Sequence, residues 1–196
     1  MRPPQGSRDP LAGILLRRAV VGDAKAIALL IDRADARYFG LVPPLLASAE
    51  RLARWGRLVR EPSWWAFVAT EPGRLAGVVS GTAAVTEDGR REAGVTHLDS
   101  LAVEPERWGL GLGRRLLVTA LAAMPALGWR GAELWTQEPN ARARALYHST
   151  GWRQTGARRW HPVAGCHILE YTITLPPPGP QPGAPPGAPP AAPSGP

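Results

Sequence analysis

The residues best suited to bind an anion form a glycine-rich turn in the middle of the chain. Every second residue between the end of a predicted strand and the start of a predicted helix is a glycine, at Gly109, Gly111 and Gly113. Two arginines follow, Arg114 and Arg115. Glycine in the first turn of a helix costs roughly 0.5–1 kcal/mol relative to alanine, so three together need a reason. Without Cβ atoms, successive backbone N–H groups can point at one anion, with help from the helix dipole. The turn indicates a phosphate site, although a flexible connection with solvent-facing arginines would show the same spacing.

Two other phosphate-binding motifs do not fit this turn. A P-loop requires Gly-Lys-Ser or Gly-Lys-Thr, and neither follows the glycines. A dinucleotide-binding fold needs an acidic residue about 20 residues later, at the end of a second parallel strand. The nearest acidic residue, Glu133, lies within the next predicted strand. The sequence therefore supports neither of these two function classes.

A second constellation lies downstream, in a predicted helix and the turn after it. It runs Asn140-Ala141-Arg142-Ala143-Arg144-Ala145-Leu146-Tyr147-His148-Ser149-Thr150-Gly151-Trp152. Asn140 follows Pro139 and is predicted to cap the helix N-terminus, and Gly151 suits the left-handed residue after the C-terminus. Tyr147 carries a phenol with an ordinary pKa of about 10, so it could donate a proton or simply pack on the apolar helix face beside Ala143.

Hydrophobic periodicity predicts the elements that position these two segments, in the order β-α-α-β-β-β-α-β-α-β-β. The strands are predicted at 14–19, 64–70, 75–85, 95–103, 132–137, 152–160 and 166–175. The helices are predicted after an N-cap at Asp23, across the periodic residues 45–53 and 116–124, and over 140–150. The charged stretch 86–94 is predicted to be a loop.

The chain has 196 residues, enough for one domain and not for two full cores. Residues 176–196 hold 11 of the 22 prolines and nothing aromatic, charged or aliphatic larger than alanine. We expect this segment to be a disordered tail that leans towards polyproline II. Residues 1–13 are expected to be a flexible arm, which leaves 14–175 as the folded domain.

The formal net charge is +7, and 22 of the 23 basic residues are arginine. This composition favours anionic partners such as nucleic acid or a nucleotide cofactor, and coding bias in a GC-rich genome would also produce it. The single cysteine, Cys166, excludes an intramolecular disulfide and a cysteine-rich zinc site, and we predict no metal site. No apolar stretch approaches 18 residues and the N-terminus has no apolar h-region, so we expect a cytoplasmic protein with no membrane partner.

The two constellations together resemble the GCN5-related N-acetyltransferase (GNAT) family over residues 14–175. The family's fourth strand is similar to Leu98-x-x-Leu101-x-Val103-x-Pro105, and its Q/R-x-x-G-x-G/A pyrophosphate loop to Gly109-x-Gly111-x-Gly113 with Arg114. The downstream segment is similar to the family's N-x-x-A-x-x-L-Y-x-x-x-G-F/W motif. One departure matters: Trp108 stands at the usual Gln/Arg position, and Arg107 lies one residue early.

The resemblance implies an α/β (α+β) GNAT fold with a mixed, mostly antiparallel sheet of about seven strands and four helices, splayed between the fourth and fifth strands. It also implies acetyl-CoA as co-substrate, with its pantetheine arm in the splay and its pyrophosphate at the glycine turn. The implied cofactor-binding residues are Leu101, Ala102, Val103, Gly109, Leu110, Gly111, Leu112, Gly113, Arg114, Asn140 and Tyr147. Most of these contacts would come from the main chain.

The reaction implied by the resemblance is direct attack of a neutral amine on the thioester through a tetrahedral oxyanion. The backbone N–H of Leu101 is the implied oxyanion donor, and Tyr147 matches the family's general acid for the leaving sulfur. No residue is clearly identified as the general base that removes the ammonium proton. Asp99 and His97 on the fourth strand and Glu138 after the fifth are candidates, and a chain of waters is an alternative.

The expected function is thus N-acetylation of a primary amine in a small molecule, peptide or protein. One alternative is a non-catalytic acyl-CoA-binding sensor, which Trp108 and the missing clear base would suit. Another is an acetyltransferase acting on aminoacyl-tRNA, which rests on net charge alone; nucleic acid is otherwise not expected as a partner. Trp55, Trp64 and Trp65 could line an acceptor pocket or pack in the core, and a homodimer is left open.

Overall fold

The computed structural model of the protein describes residues 9–39, 49–86, 88–162 and 164–177. Its seven strands are β1 Leu15–Arg18, β2 Trp65–Glu71, β3 Arg74–Val85, β4 Arg91–Val103, β5 Gly131–Gln137, β6 Arg153–His161 and β7 Cys166–Thr174. Within the described ranges the α-helices are α1 Ala24–Phe39, α2 Ala49–Leu58, α3 Leu112–Ala123 and α4 Ala141–Ser149.

The seven strands form one sheet in the order β1-β2-β3-β4-β5-β7-β6. Every neighbouring pair is antiparallel except β4 with β5, which run parallel. The helix α3 makes the crossover between these two parallel strands, as parallel pairing requires. The architecture confirms the mixed, mostly antiparallel sheet with four helices that the sequence predicted.

Helices cover the sheet on both faces. One face packs against α3 and α4 in a core that includes Leu98, Leu116, Leu134, Tyr147 and Tyr171. The opposite face of β2 and β3 packs against α1 and α2 in a second core, which includes Ile27, Leu30, Trp55, Val68 and Val78. Because β2 and β3 are covered on both sides, their sequences are almost continuously apolar rather than alternating.

The start of the first helix differs from the sequence prediction. Asp23 ends a short 3-10 turn, Val21–Asp23, and α1 follows it directly. The Asp23 carboxylate accepts the N–H of Val20 at 2.8 Å and two bonds from Arg17 at 2.7 and 2.8 Å. Asp23 therefore satisfies a donor that precedes the helix and does not cap α1. The hydrogen bonds from Arg17 hold the pKa of Asp23 below its usual value.

The strand β4 begins at Arg91, so the predicted loop 86–94 is shorter than expected. The first residues of β4 are exposed, and Arg91 pairs with Glu61 at 3.1 Å. Ladder hydrogen bonds come from the backbone, so this end of the strand needs no apolar side chains. Residues 91–94 therefore lack the apolar alternation from which a strand is predicted.

An extra residue interrupts the ladder between β3 and β4. Ser80 lies opposite Ser100, and Gly81 lies opposite Leu98, so Asp99 has no partner across the ladder. This arrangement is a β-bulge, which bends its strand and ends regular pairing locally.

The parallel pairing of β4 with β5 stops just before that bulge. It runs from Val95 opposite Gly131 to His97 opposite Glu133, and β5 continues alongside β7 to Gln137. The two strands therefore diverge beyond His97, which confirms the splay that the resemblance implied.

Several sequence predictions fall on residues outside the described ranges. These are the arm up to residue 8, the tail from residue 178, and the residues 45–48 of the second predicted helix. Residues 9–13 form a turn in which Leu11 packs against the core. Among the described helices, none is both long enough and apolar enough to cross a membrane.

Candidate active site

The glycine turn leaves three backbone donors open at the start of α3. Gly109 and Gly111 have φ angles of 85° and 87°, in the left-handed region that favours glycine. Gly111 is the N-cap and has no side chain to cap the helix, and the first helical hydrogen bond runs from the Arg115 N–H to the Gly111 carbonyl at 3.0 Å. The N–H groups of residues 112–114 have no acceptor within the described part of the chain. An uncapped helix start of this kind is suited to an anion.

The second part of the site is the edge of β4 that faces the diverging β5. The Glu104 N–H donates to the Ala76 carbonyl on β3 at 3.0 Å. Hydrogen-bonded and non-hydrogen-bonded pairs alternate in an antiparallel ladder, so the Ala102 backbone also bonds to β3. The N–H and C=O groups of Leu101 and Val103 point to the opposite side of β4, away from β3. That side is the gap beyond His97.

The predicted cofactor residues on β4 thus divide into two groups. Leu101 and Val103 present main-chain groups to the gap. The Ala102 backbone bonds to β3, and its side chain packs towards the core beneath α1 and α2. Of the turn residues, Leu112 is fully buried in the core and Leu110 is exposed.

Trp108 lies between β4 and α4. Its indole N–H donates to the Val103 carbonyl at 2.7 Å, and its ring packs against the core. The guanidinium carbon of Arg142 lies 5.7 Å from the centre of that ring. Arg107, one residue earlier, donates to Glu71 at 2.6 Å and so points away from the turn.

The Arg114 side chain also points away from the turn. Its guanidinium donates to the Ser149 hydroxyl at 2.9 Å, at the C-terminal end of α4. A cation is favourable there because the helix dipole is negative at that end. The predicted cofactor contact of Arg114 is thus left to its backbone N–H.

Two further predicted residues lie on α4. The Asn140 side chain accepts the Ala143 N–H at 3.0 Å, so Asn140 is the N-cap that the sequence indicated. The Tyr147 ring is buried, with its centre 6.0 Å from that of Trp152 and 5.9 Å from that of Tyr171. Burial raises the pKa of Tyr147 above its usual value, so the hydroxyl stays protonated at neutral pH.

Three titratable side chains meet where β4 leaves β5. His97 Nδ1 lies 3.0 Å from a Glu133 carboxylate oxygen, and Nε2 lies 4.0 Å from an Asp99 carboxylate oxygen. All three side chains are less than a third exposed. Burial raises the pKa of Asp99, although His97, Thr82 and Arg54 act in the opposite direction.

Glu138 lies apart from this cluster. Its carboxylate pairs with Arg158 at 2.8 Å, and that hydrogen bond holds the pKa of Glu138 below its usual value. The tryptophans considered for an acceptor pocket pack in the protein: Trp65 donates to the Thr96 hydroxyl at 2.7 Å, and Trp55 and Trp64 belong to the core beneath α1 and α2.

Comparison with known proteins identifies the family. The model of the acetyltransferase (GNAT) family matches residues 30–152, a range that includes the gap, the glycine turn and α4. The chain belongs to the GNAT acetyltransferase family. Acetyl-CoA is the co-substrate of this family. No curated protein sequence matches this GNAT chain significantly.

Solved acetyltransferases share the GNAT fold of the chain. The ribosomal-protein-alanine N-acetyltransferase of Brucella melitensis is 21% identical with a TM-score of 0.66, over 82% of this chain and 99% of that one. The ribosomal-protein-S18-alanine N-acetyltransferase of Escherichia coli is 21% identical with a TM-score of 0.63, over 85% and 96%. The yncA protein of Salmonella typhimurium, solved with its cofactor acetyl-CoA, is 20% identical with a TM-score of 0.63, over 90% and 99%. At these identities the likeness shows the fold alone.

Replacing Asp99 with Asn is expected to stabilise the protein at neutral pH. The folded protein raises the pKa of Asp99, so above that pKa the ionised carboxylate disfavours the folded state, and Asn removes this penalty. Below the ordinary aspartate pKa of about 3.9, both states carry a neutral Asp99 and the gain disappears. Chemical denaturation at pH 7.5 and pH 3.5 measures the difference.

Glu138→Gln is the matched control for this experiment. Arg158 lowers the pKa of Glu138, so this variant should lose a small amount of stability at pH 7.5 instead of gaining it. Equal effects of Asp99→Asn at the two pH values would contradict the assignment of a raised pKa.

Proposed function

We propose that this GNAT chain is an acetyl-CoA-dependent N-acetyltransferase that acts on a primary amine of a small molecule, peptide or protein. The observation that carries the proposal is the continuity of the β4 edge with the uncapped start of α3. The main-chain groups of Leu101 and the N–H of Val103 face the gap, and the open N–H groups of residues 112–114 lie at the start of the helix that follows β4 in the chain. Amides along a strand edge that lead to an anion site fit an elongated thioester carrying a pyrophosphate.

When bound, acetyl-CoA supplies an activated acetyl group whose carbonyl carbon the amine attacks as the carbon–sulfur bond breaks. In the proposal, Leu101 donates its N–H to the oxygen on which negative charge develops. Residues 112–114 hold the pyrophosphate with their N–H groups, and the Asn140 cap keeps the start of α4 ordered beside them.

Tyr147 is the proposed proton donor to the leaving sulfur. Its buried ring is fixed between Trp152 and Tyr171, and its raised pKa keeps the proton on the oxygen at working pH. A phenol with a raised pKa is a weaker acid than a thiol, so Tyr147 contributes by donating a hydrogen bond to the sulfur as negative charge develops there.

His97 is the proposed base for the ammonium proton. The 3.0 Å contact with Glu133 assigns the resting imidazole proton to Nδ1, which leaves the Nε2 lone pair free to accept. Glu133 is a positioning residue, and Asp99 lies near enough to stabilise the imidazolium once it forms. Asp99 remains an alternative base because burial raises its pKa, whereas the ion pair of Glu138 with Arg158 makes that carboxylate a weaker base.

The first test is binding and turnover of the full chain. We expect titration calorimetry to show acetyl-CoA binding with a micromolar Kd, and thiol release to depend on an added amine. The amines to compare are small amines, amino acids, peptides with a free N-terminus and lysine-containing peptides. No heat of binding at millimolar acetyl-CoA would overturn the proposal. Binding without amine-dependent release across these classes would favour the non-catalytic sensor.

Tyr147→Phe separates acid catalysis from packing. Phe keeps the buried ring, so the melting temperature and the Kd for acetyl-CoA should stay unchanged, while kcat falls about 100-fold. The control is Tyr171→Phe, since that hydroxyl has no role in the proposed chemistry. An unchanged kcat in Tyr147→Phe would remove Tyr147 from the mechanism.

His97→Gln tests the base through the pH profile of kcat. The wild-type rate should fall at low pH as His97 takes up a proton, and His97→Gln should lower kcat about 100-fold and abolish that limb. Glu133→Gln should lower kcat by less than His97→Gln does, because it removes the carboxylate that orients the imidazole and leaves the base in place.

His167→Gln is the control for this profile, since His167 lies on β7 with its ring against Trp160. If His97→Gln kept the wild-type limb, the base would be Asp99 or another group.

A further inference from the structure

We propose that Arg142 on α4 supplies the phosphate-binding cation that the glycine turn lacks at position 108, and that Trp108 holds it in place. The ligand group is the pyrophosphate of acetyl-CoA, so this inference rests on the proposed function. The inference assigns a binding residue outside the turn, and it gives Trp108 the role of holding the Arg142 guanidinium.

Of the three arginines in and beside the turn, Arg107 and Arg114 are engaged elsewhere, and Arg115 is exposed on α3. Position 108, where the family pattern has Gln or Arg, carries an indole that donates to the Val103 carbonyl. The Arg107 guanidinium binds Glu71 at 2.6 Å, and that of Arg114 binds Ser149 at 2.9 Å. The turn thus lacks the Gln or Arg side chain that the family pattern places at position 108.

Arg142 brings a guanidinium to the turn from the neighbouring helix. A Cβ placed on Gly109 would lie 4.0 Å from an Arg142 terminal nitrogen, so the guanidinium lies beside the Gly109 position of the turn. Arg142 is exposed, and it forms no salt bridge or hydrogen bond with any residue in the described ranges. Its charge and its N–H donors are therefore available to a ligand.

The location of Arg142 in its own helix supports a ligand role. It is the second residue of α4, where the positive end of the helix dipole makes a cation unfavourable. A bound phosphate beside the same helix start would reverse the sign of that interaction. No acidic side chain occupies the first turn of α4 to balance the charge.

Trp108 accounts for how a long, exposed arginine keeps one position. A guanidinium over an indole is held by a cation–π interaction, and stacking leaves the N–H groups on its edge free. Those edge groups match the paired oxygens of a phosphate. Trp108 is itself fixed by its hydrogen bond to Val103, so the ring serves as a platform anchored to β4.

The test compares acetyl-CoA with S-acetyl-pantetheine, which has the same thioester and no phosphate. We expect Arg142→Ala to raise the Kd for acetyl-CoA about tenfold and to leave the KM for S-acetyl-pantetheine unchanged. Arg153→Ala, an exposed arginine on β6, should change neither value. An unchanged Kd for acetyl-CoA in Arg142→Ala, or an equal loss with both substrates, would overturn the proposal.

Acetyl-dephospho-CoA, which keeps the pyrophosphate and lacks the 3′-phosphate, identifies the group that Arg142 binds. The penalty of Arg142→Ala should persist with this substrate. If the penalty disappears, Arg142 binds the 3′-phosphate and the assignment to the pyrophosphate is wrong.

A rescue experiment distinguishes a direct contact between Arg142 and the ligand from an indirect structural effect of removing Arg142. In the Arg142→Ala background, Trp108→Arg restores a cation at the position of the family pattern and should recover most of the lost affinity for acetyl-CoA. Trp108→Leu alone should weaken acetyl-CoA binding and make a further Arg142→Ala change nearly silent. Additive losses and no rescue would contradict the proposal. Failure of the wild-type chain to bind acetyl-CoA would instead overturn the proposed function.

Discussion

The short parallel pairing of β4 with β5 is the constraint on which the site depends. It ends at His97 and Glu133, and the bulge at Asp99 begins the next stretch of β4. Beyond that point, main-chain groups on one side of β4 have no strand partner, in the middle of a sheet where every other neighbour is paired. The same divergence places three titratable side chains at its fork. An opening in the sheet and a cluster of acid–base groups thus have one geometric origin.

The junction between β4 and α3 is held independently of any ligand. Glu104 is almost fully buried, and its carboxylate forms an ion pair with Arg33 of α1. Its N–H bonds to Ala76, and its carbonyl accepts the Arg107 N–H at 2.8 Å. A buried carboxylate is costly unless it is paired in this way. The turn that follows is therefore anchored to β3 and α1 before a substrate arrives, which reduces the ordering cost of binding.

The sequence predicted the features that depend on local chemistry. The glycine turn, the Asn140 cap and the element order follow from residue types and periodicity, and the family resemblance extended them to the splay. Contacts between elements were not accessible in this way. The pairing of His97 with Glu133 depends on a parallel register, and that of Arg142 with Trp108 depends on how α4 lies against the turn. The role of Asp23 was mistaken because its carboxylate bonds backwards along the chain, to Val20 and Arg17.

The bond from Arg114 to Ser149 ties the beginning of α3 to the end of α4. These two helices share one core, so the start of α3 and Tyr147 belong to one packed unit. The cluster around His97, by contrast, lies on β4 and β5. A substitution in the cluster therefore changes contacts within the sheet and leaves the bond between Arg114 and Ser149 in place. One small domain thus contains a helical unit and a strand-borne cluster that are held by different contacts.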